Sequence, residues 1–177
     1  SLTQPDKQSL YFSATLDNRV KDIIGGFSTD PVHISIKSNE TSDNIDQNIV
    51  QFSSASDKMN KLHEILVQDN QMKTLVFDDT HRSVDDITKE LVARGFIADS
   101  IHGGKSQAKR QRVLKNFKNN SIQVLVATDV AARGIDVSDI THVINYSLPQ
   151  DYESYVHRIG RTGRAGKVGY ALTFVSR

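Results

Sequence analysis

From Gln47 to the end of the chain, strand-like and helix-like segments alternate with a regularity that few architectures can absorb. Thr74–Phe77 is an apolar run of buried-strand type, and Ile49–Phe52, Ala98–Ile101, Val124–Ala127, His142–Tyr146 and Tyr170–Val175 supply further strands. Between them, Ser56 can cap a helix whose Met59, Leu62, Ile65 and Leu66 share one face. Ser83 with Asp86 resembles a capping box ahead of Ile87 and Leu91, Ser106 opens a helix with Val113, Leu114 and Phe117 inward, and Asp151 can cap one carrying Tyr155, Val156 and Ile159. Such alternation predicts an α/β fold with a largely parallel sheet and helices on its faces. Polar residues follow the strand ends at Asp78–His81, His102–Ser106 and Thr128–Asp136. In open parallel sheets ligands bind outside the carboxyl ends of the strands, so these three loops are expected to share a binding edge.

The first 46 residues read differently. Ser9–Phe12 is a short strand candidate, Leu16–Phe27 a helix stopped by Gly25 and Gly26, and Pro31–Ile36 a second strand. These pieces leave most apolar faces open, which suits the tail of a preceding domain. Residues 38–46 are rich in Ser, Asn, Thr and acidic side chains, the composition of a linker. The expected organisation is therefore a domain tail at 1–37, a linker at 38–46 and a domain at 47–177.

Charge separates along the same direction. Ser106–Arg177 holds 11 basic and 5 acidic residues, whereas residues 1–105 hold 11 basic and 16 acidic, so the carboxyl-terminal part is suited to face a polyanion. No stretch is apolar enough to span a membrane, and with no cysteine and no signal-like start the expected location is the cytoplasm. The densest cationic feature is HRIGRTGR at His157–Arg164, with three arginines and two glycines in eight residues. Guanidinium forks fit phosphate oxygens, and Gly160 and Gly163 allow the backbone to turn between them. A solvated basic loop is the plainer alternative. Other patterns fall away. Gly104-Lys105-Ser106 mimics the end of a Walker A loop, but its required earlier glycine is Asp99. The histidines show no metal-ligand spacing, Ser13 lacks a GxSxG setting, and Asp78, Asp79, Asp85 and Asp86 lack the closing Glu of a calcium loop.

Four ordered motifs carry a resemblance: SAT at Ser13–Thr15, QAKR at Gln107–Arg110, ATDVAARGID at Ala127–Asp136 and HRIGRTGR at His157–Arg164. Together they resemble DEAD-box RNA helicases over nearly the whole chain outside the linker. The resemblance implies the second RecA-like domain of an ATP-dependent enzyme that locally unwinds RNA, preceded by the end of the first domain. The Walker A loop and DEAD sequence, with the Mg2+ ligands, would lie in the first domain, making that domain a partner and the fragment alone inactive. It also implies that Arg161 and Arg164 meet the phosphates of ATP, with Arg164 nearest an arginine finger, and that Gly134 and Asp136 meet the ribose. For Asp136 a turn or cap residue is the alternative. Thr80, Gly103, Arg110 and Thr128 are implied to contact the RNA sugar-phosphate backbone, independently of sequence; an exposed helix charge is the alternative for Arg110. Ser13, Thr15 and His157 are implied to couple the two domains. Gly104 stands where the family commonly has aspartate, and Asp78 and Asp79 precede Thr80 where it often has neutral residues, acids expected to weaken a phosphate contact there. A binding module on the same fold without catalysis, and a related DNA translocase, are the competing classes.

Overall fold

The computed structural model describes residues 8–12, 18–28, 30–34, 44–68, 72–133, 135 and 137–177. The chain divides into two compact units, Ser1–Ser38 and Asn39–Arg177. In the first, helix α1 (Asn18–Phe27) runs through Gly25 and Gly26 instead of ending at them, and buries Ile24. The described residues 9–12 and 31–34 form no strand. Extended segments need a neighbour to complete a ladder, and Val32 and Ile34 stay exposed.

The second unit contains β1 (Ile45–Phe52), α2 (Ala55–Val67), β2 (Thr74–Phe77), α3 (His81–Ala93), β3 (Ala98–Ile101), α4 (Gln107–Lys118), β4 (Val124–Ala127), α5 (Asp129–Ala132), β5 (His142–Asn145), α6 (Tyr152–Ile159) and β6 (Gly169–Ser176). Its six strands form one parallel sheet in the order β1-β6-β5-β2-β4-β3. This is the α/β fold with a parallel sheet expected from the alternation, and it agrees with the RecA-like domain that the resemblance implies. β2, β3 and β4 lie where the sequence puts them. β1, however, starts at Ile45, inside the expected linker. Its polar residues Asp46, Gln47 and Asn48 point outward from a strand that pairs with β6 on one side, Ile45 opposite Gly169 and Phe52 opposite Ser176. An edge strand held mainly by backbone bonds needs little apolar pattern, which is why it reads as linker.

Side-chain alternation divides the core. Leu75, Phe77, Leu125, Ala127 and Val143 face α4 and α5 with Val113, Phe117 and Ala131, while Val76, Val124, Val126 and Ile144 face α2 and α3 with Leu62, Leu66, Val84 and Leu91. Ile159 of α6 packs with Ala171 and Ile45. Ala171 is the register partner of Val143, so α6 lies on the α4 side. Each fully buried aliphatic or aromatic side chain contributes about 1.5–3 kcal/mol. Helix starts are set by local caps: Ser106 and Asp151 cap α4 and α6, but α2 is capped by Ser54, not Ser56, and α3 by Thr80, not Ser83. In each corrected case the earlier hydroxyl takes the free amide of the first turn and lengthens the helix.

The connections give this sheet its binding edge. From β2 the chain passes to β3 at the far edge, returns to β4 beside β2, then crosses to β5 on the opposite flank of β2. The segments leaving β2, β3, β4 and β5 therefore emerge side by side, at the point where connections diverge.

Candidate functional site

The arginine-rich stretch is the last turn of α6 and the loop that follows. Arg158 is the surprise within it: at 1% exposure it is the largest fully buried side chain among the described residues. Its Nε and Nη2 donate to the two oxygens of Asp129, each at 2.7 Å, and Nη1 donates to the Ser147 carbonyl at 2.8 Å. Asp79 lies 3.6 Å from Nη2, and the guanidinium sits over the Phe77 ring. Arg158 thus ties α6 to the ends of β2, β4 and β5, and is spent on structure.

Beyond it the loop is fixed from below. Thr162, 2% exposed, donates its hydroxyl toward the carbonyls of Ile140 and Thr141, at 2.6 and 2.9 Å. Gly163 has φ +68°, and a Cβ there would stand 2.6 Å from Ile45 Cγ1. Gly160 has φ −63° and simply ends the helix, so of the two glycines only Gly163 needs its freedom. A third glycine, Gly169 at the start of β6, was not evident from the motif. A Cβ on it would fall 2.3 Å from both Gly163 N and Thr162 Oγ1. Gly169→Ala is accordingly expected to lower stability by roughly 1–3 kcal/mol and to displace the loop, read by thermal melting; an unchanged midpoint would show that the loop is not held this way.

Arg161 donates to the Ile135 carbonyl at 3.2 Å, and Arg164 Nε donates to the Gly160 carbonyl at 2.9 Å. Burial, and then the charge of Arg164, push the Arg161 pKa below its usual value. A guanidinium still stays protonated at neutral pH, so two like charges are held together by the fold. Phe77, Asp129, Arg133, His157, Arg158 and Arg161 line one cleft in this unit. His157 and Arg161 therefore meet in one place. Gly134 and Asp136 lie outside the described residues, as do Ser13 and Thr15; Ile135, between the first two, is the residue Arg161 holds.

Thr80, Thr128 and Gly103 follow β2, β4 and β3, three adjacent strands whose last residues Phe77, Ala127 and Ile101 are in register. A Cβ on Gly103 would stand 3.3 Å from His81, the residue after Thr80. Arg110 is in the first turn of α4, which leaves β3. These four positions are gathered at one edge, but their side chains differ in availability. The Thr80 hydroxyl accepts from Ser83 N at 3.1 Å as the cap of α3. Thr128 Oγ1 and Arg110 Nε are both buried without a hydrogen-bond partner, although Arg110 Nη1 reaches Gln107 at 3.3 Å. Buried polar atoms are nearly always paired, so an orphan at a ligand edge marks a place for a ligand or water. Of the nearby acids, Asp78 is buried and accepts from Ser83, whereas Asp79 is exposed and accepts from Ser147 at 2.7 Å. Serine hydroxyls do not neutralise these carboxylates, so the expectation that they weaken a phosphate contact beside Thr80 stands. Lys105, the Walker-like lysine, is likewise used internally, reaching the Ser100 carbonyl at 2.7 Å and Asp99 at 3.4 Å.

The sequence model described as helicase conserved C-terminal domain matches residues 57–166. The E. coli DEAD-box protein SrmB, solved bound to regulator of ribonuclease activity A, is similar with TM-score 0.69 and 35% identity over 73% of this chain and 76% of that one. The chain belongs to the helicase C-terminal domain family, in its DEAD-box branch. The ATP-dependent RNA helicase CshA of Limosilactobacillus reuteri is 50% identical across 98% of this chain and 35% of its own length. Dbp5 of S. cerevisiae, solved with RNA and ADP BeF3, matches with TM-score 0.82 and 30% identity over 94% of this chain and 44% of that one. The chain thus spans about a third of the length of the curated relatives it matches.

Proposed function

We propose that this chain is the second half of an ATP-dependent RNA helicase core, supplying an arginine finger and half of an RNA-backbone site for local unwinding. Residues 1–37 are assigned to the end of the first RecA-like domain and 38–46 to the linker, whose last residues also enter β1. The observation that carries this reading is the pair of orphaned buried atoms, Thr128 Oγ1 and Arg110 Nε, on the same unit as a fixed loop of arginines. The similarity to an RNA-bound and nucleotide-bound relative supports it.

In this reading Arg161 and Arg164 present cations to the γ-phosphoryl group of ATP held by the first domain. Charge developing during transfer is stabilised by a preset guanidinium, and because that group comes from a second domain, hydrolysis depends on closure. Asp129 and Arg158 position α6, Gly134 and Asp136 take the ribose, and His157, with Ser13 and Thr15, couples the domains. Mg2+ is assigned to the first domain, where the family resemblance places its ligands. RNA is held by its phosphates and sugars through Thr80, Gly103, Arg110 and Thr128, without base reading.

The test is ATP hydrolysis by the full-length protein with and without single-stranded RNA. Stimulation by RNA and not by DNA is expected; no hydrolysis with either would favour a binding module, and stimulation by DNA a translocase. Arg110→Ala should weaken RNA binding and reduce the slope of log affinity against log salt by about 0.7, the value for one single-strand phosphate contact. An unaltered slope would leave Arg110 as an ordinary helix charge.

A further inference from the structure

At the end of β3 lies a cluster that the proposed chemistry leaves unused. His102 is 5% exposed. Its Nε2 is 3.1 Å from Asp85 Oδ2, and its Nδ1 accepts from the Gly104 backbone N–H at 3.2 Å. A carboxylate only accepts and an amide N–H only donates, so one form of the ring satisfies both bonds: neutral, with the proton on Nε2. Asp85 is anchored in turn by the Ser100 hydroxyl, which donates to Oδ1 at 2.6 Å. Burial works against the charge of Asp85, yet the hydrogen bonds from Ser100 and His102 hold its carboxyl below the usual range, so it remains an acceptor. The His81 ring, from the start of α3, stacks on His102 at 4.7 Å. Gly103 and Gly104 lie against both rings: a Cβ on Gly104 would stand 3.1 Å from His102 Nδ1, and one on Gly103 3.3 Å from His81 Nε2. The exposed turn at the RNA edge is therefore a glycine pair laid on two imidazoles.

We propose that His102 is a positioning residue for the RNA-backbone site: the neutral ring fixes the Gly103–Gly104 turn, and a second proton on Nδ1 releases it, so that RNA affinity falls on acidification. The proposal rests on the RNA reading above. A proton on Nδ1 turns an acceptor into a donor that faces another donor, the Gly104 N–H. Among the charged groups around the ring, Asp85 on α3 favours the added charge. Lys105, 3.7 Å from Asp85 and 3.4 Å from Asp99 of β3, opposes it, as does His81 once protonated. Asp99 is turned to Lys105 and offsets part of that opposition.

Binding of fluorescein-labelled oligouridylate to the full-length protein tests this in a pH series from about 7.5 to about 5.5, with ionic strength held constant. Losing the Gly104 bond should reduce wild-type affinity by about tenfold at the low end of the series, the scale of one hydrogen bond. His102→Asn offers an acceptor in place of Nδ1 and does not titrate, so its ratio between the ends of the series should fall below about twofold. His81→Phe keeps a stacked ring and should retain the loss. An undiminished loss in His102→Asn, or its disappearance in His81→Phe, overturns the proposal. If His102→Asn melts early, Asp85→Asn serves instead: removing the neighbouring negative charge must move the acid loss to lower pH, and an unmoved midpoint counts against His102. Wild type and Arg110→Ala in the same assay separate the two levels. If Arg110→Ala binds like wild type, Arg110 is an ordinary helix charge; if wild type itself does not bind the oligouridylate at about pH 7.5, the RNA reading fails; if wild type binds while His102→Asn keeps its acid loss, only the role of His102 fails.

Discussion

Arg164→Lys in the full-length protein is expected to lower RNA-stimulated ATP turnover by roughly 10³- to 10⁵-fold, the contribution of an arginine finger to phosphoryl transfer. Lysine keeps the charge but loses the planar fork and the extra donors. The loop cannot compensate by moving, since Thr162 is bonded to two carbonyls and Gly163 is pressed against Ile45. The thermal midpoint should hardly change, because a substitution away from the core typically alters stability by about 0.5 kcal/mol or less. Turnover within about twofold of wild type, together with a collapse in Arg161→Lys, would move the finger to Arg161. If both variants hydrolyse ATP normally, phosphoryl transfer is not what this loop does.

Arg158→Ala, in the same stretch, should fail in the opposite way. Removing one member of a buried ion pair costs roughly 3–5 kcal/mol; because Asp129 is 37% exposed and can be rehydrated in part, about 3 kcal/mol is expected. For a chain of this size that corresponds to a midpoint lowered by roughly 6–12 °C. ATP turnover should fall as well, because α6 carries the arginine loop, but only in proportion to the structure lost. The double variant Arg158→Ala, Asp129→Ala should cost no more than about 1 kcal/mol beyond the single one if the two act as a unit. Additive losses would show that Arg158 and Asp129 stabilise the fold separately.

These opposed expectations for neighbouring arginines mark where sequence reasoning stops. Strands such as Thr74–Phe77 and Val124–Ala127 are legible because burial on both faces leaves few residue types to choose from. Thr128, Arg110 and Arg161 are legible as members of ordered motifs, and the sheet brings the RNA-facing ones to adjacent strand ends. Arg158 is not. Its neighbours in the motif are equally cationic, and only the crossing of β4 to β5 brings Asp129 beneath it. A hint existed in its place beside Ile159 on a helix whose other face is polar. His102 and Asp85 are 17 positions apart and meet through the packing of α3 on β3, a contact that no spacing rule anticipates. Gly169 is silent for a similar reason: its constraint comes from a loop approaching it in space.

The placement of Ile45 has a practical side. Asn44 accepts from Gly169 N at 2.8 Å, and Ile45 lies directly under Gly163, so the first two residues of β1's approach form the floor on which the arginines stand. Anyone preparing this unit by itself and cutting at Gln47, where the composition changes, would remove that floor along with the apparent linker. The truncated piece would keep the arginines, but without their support; a start upstream of Asn44 retains both.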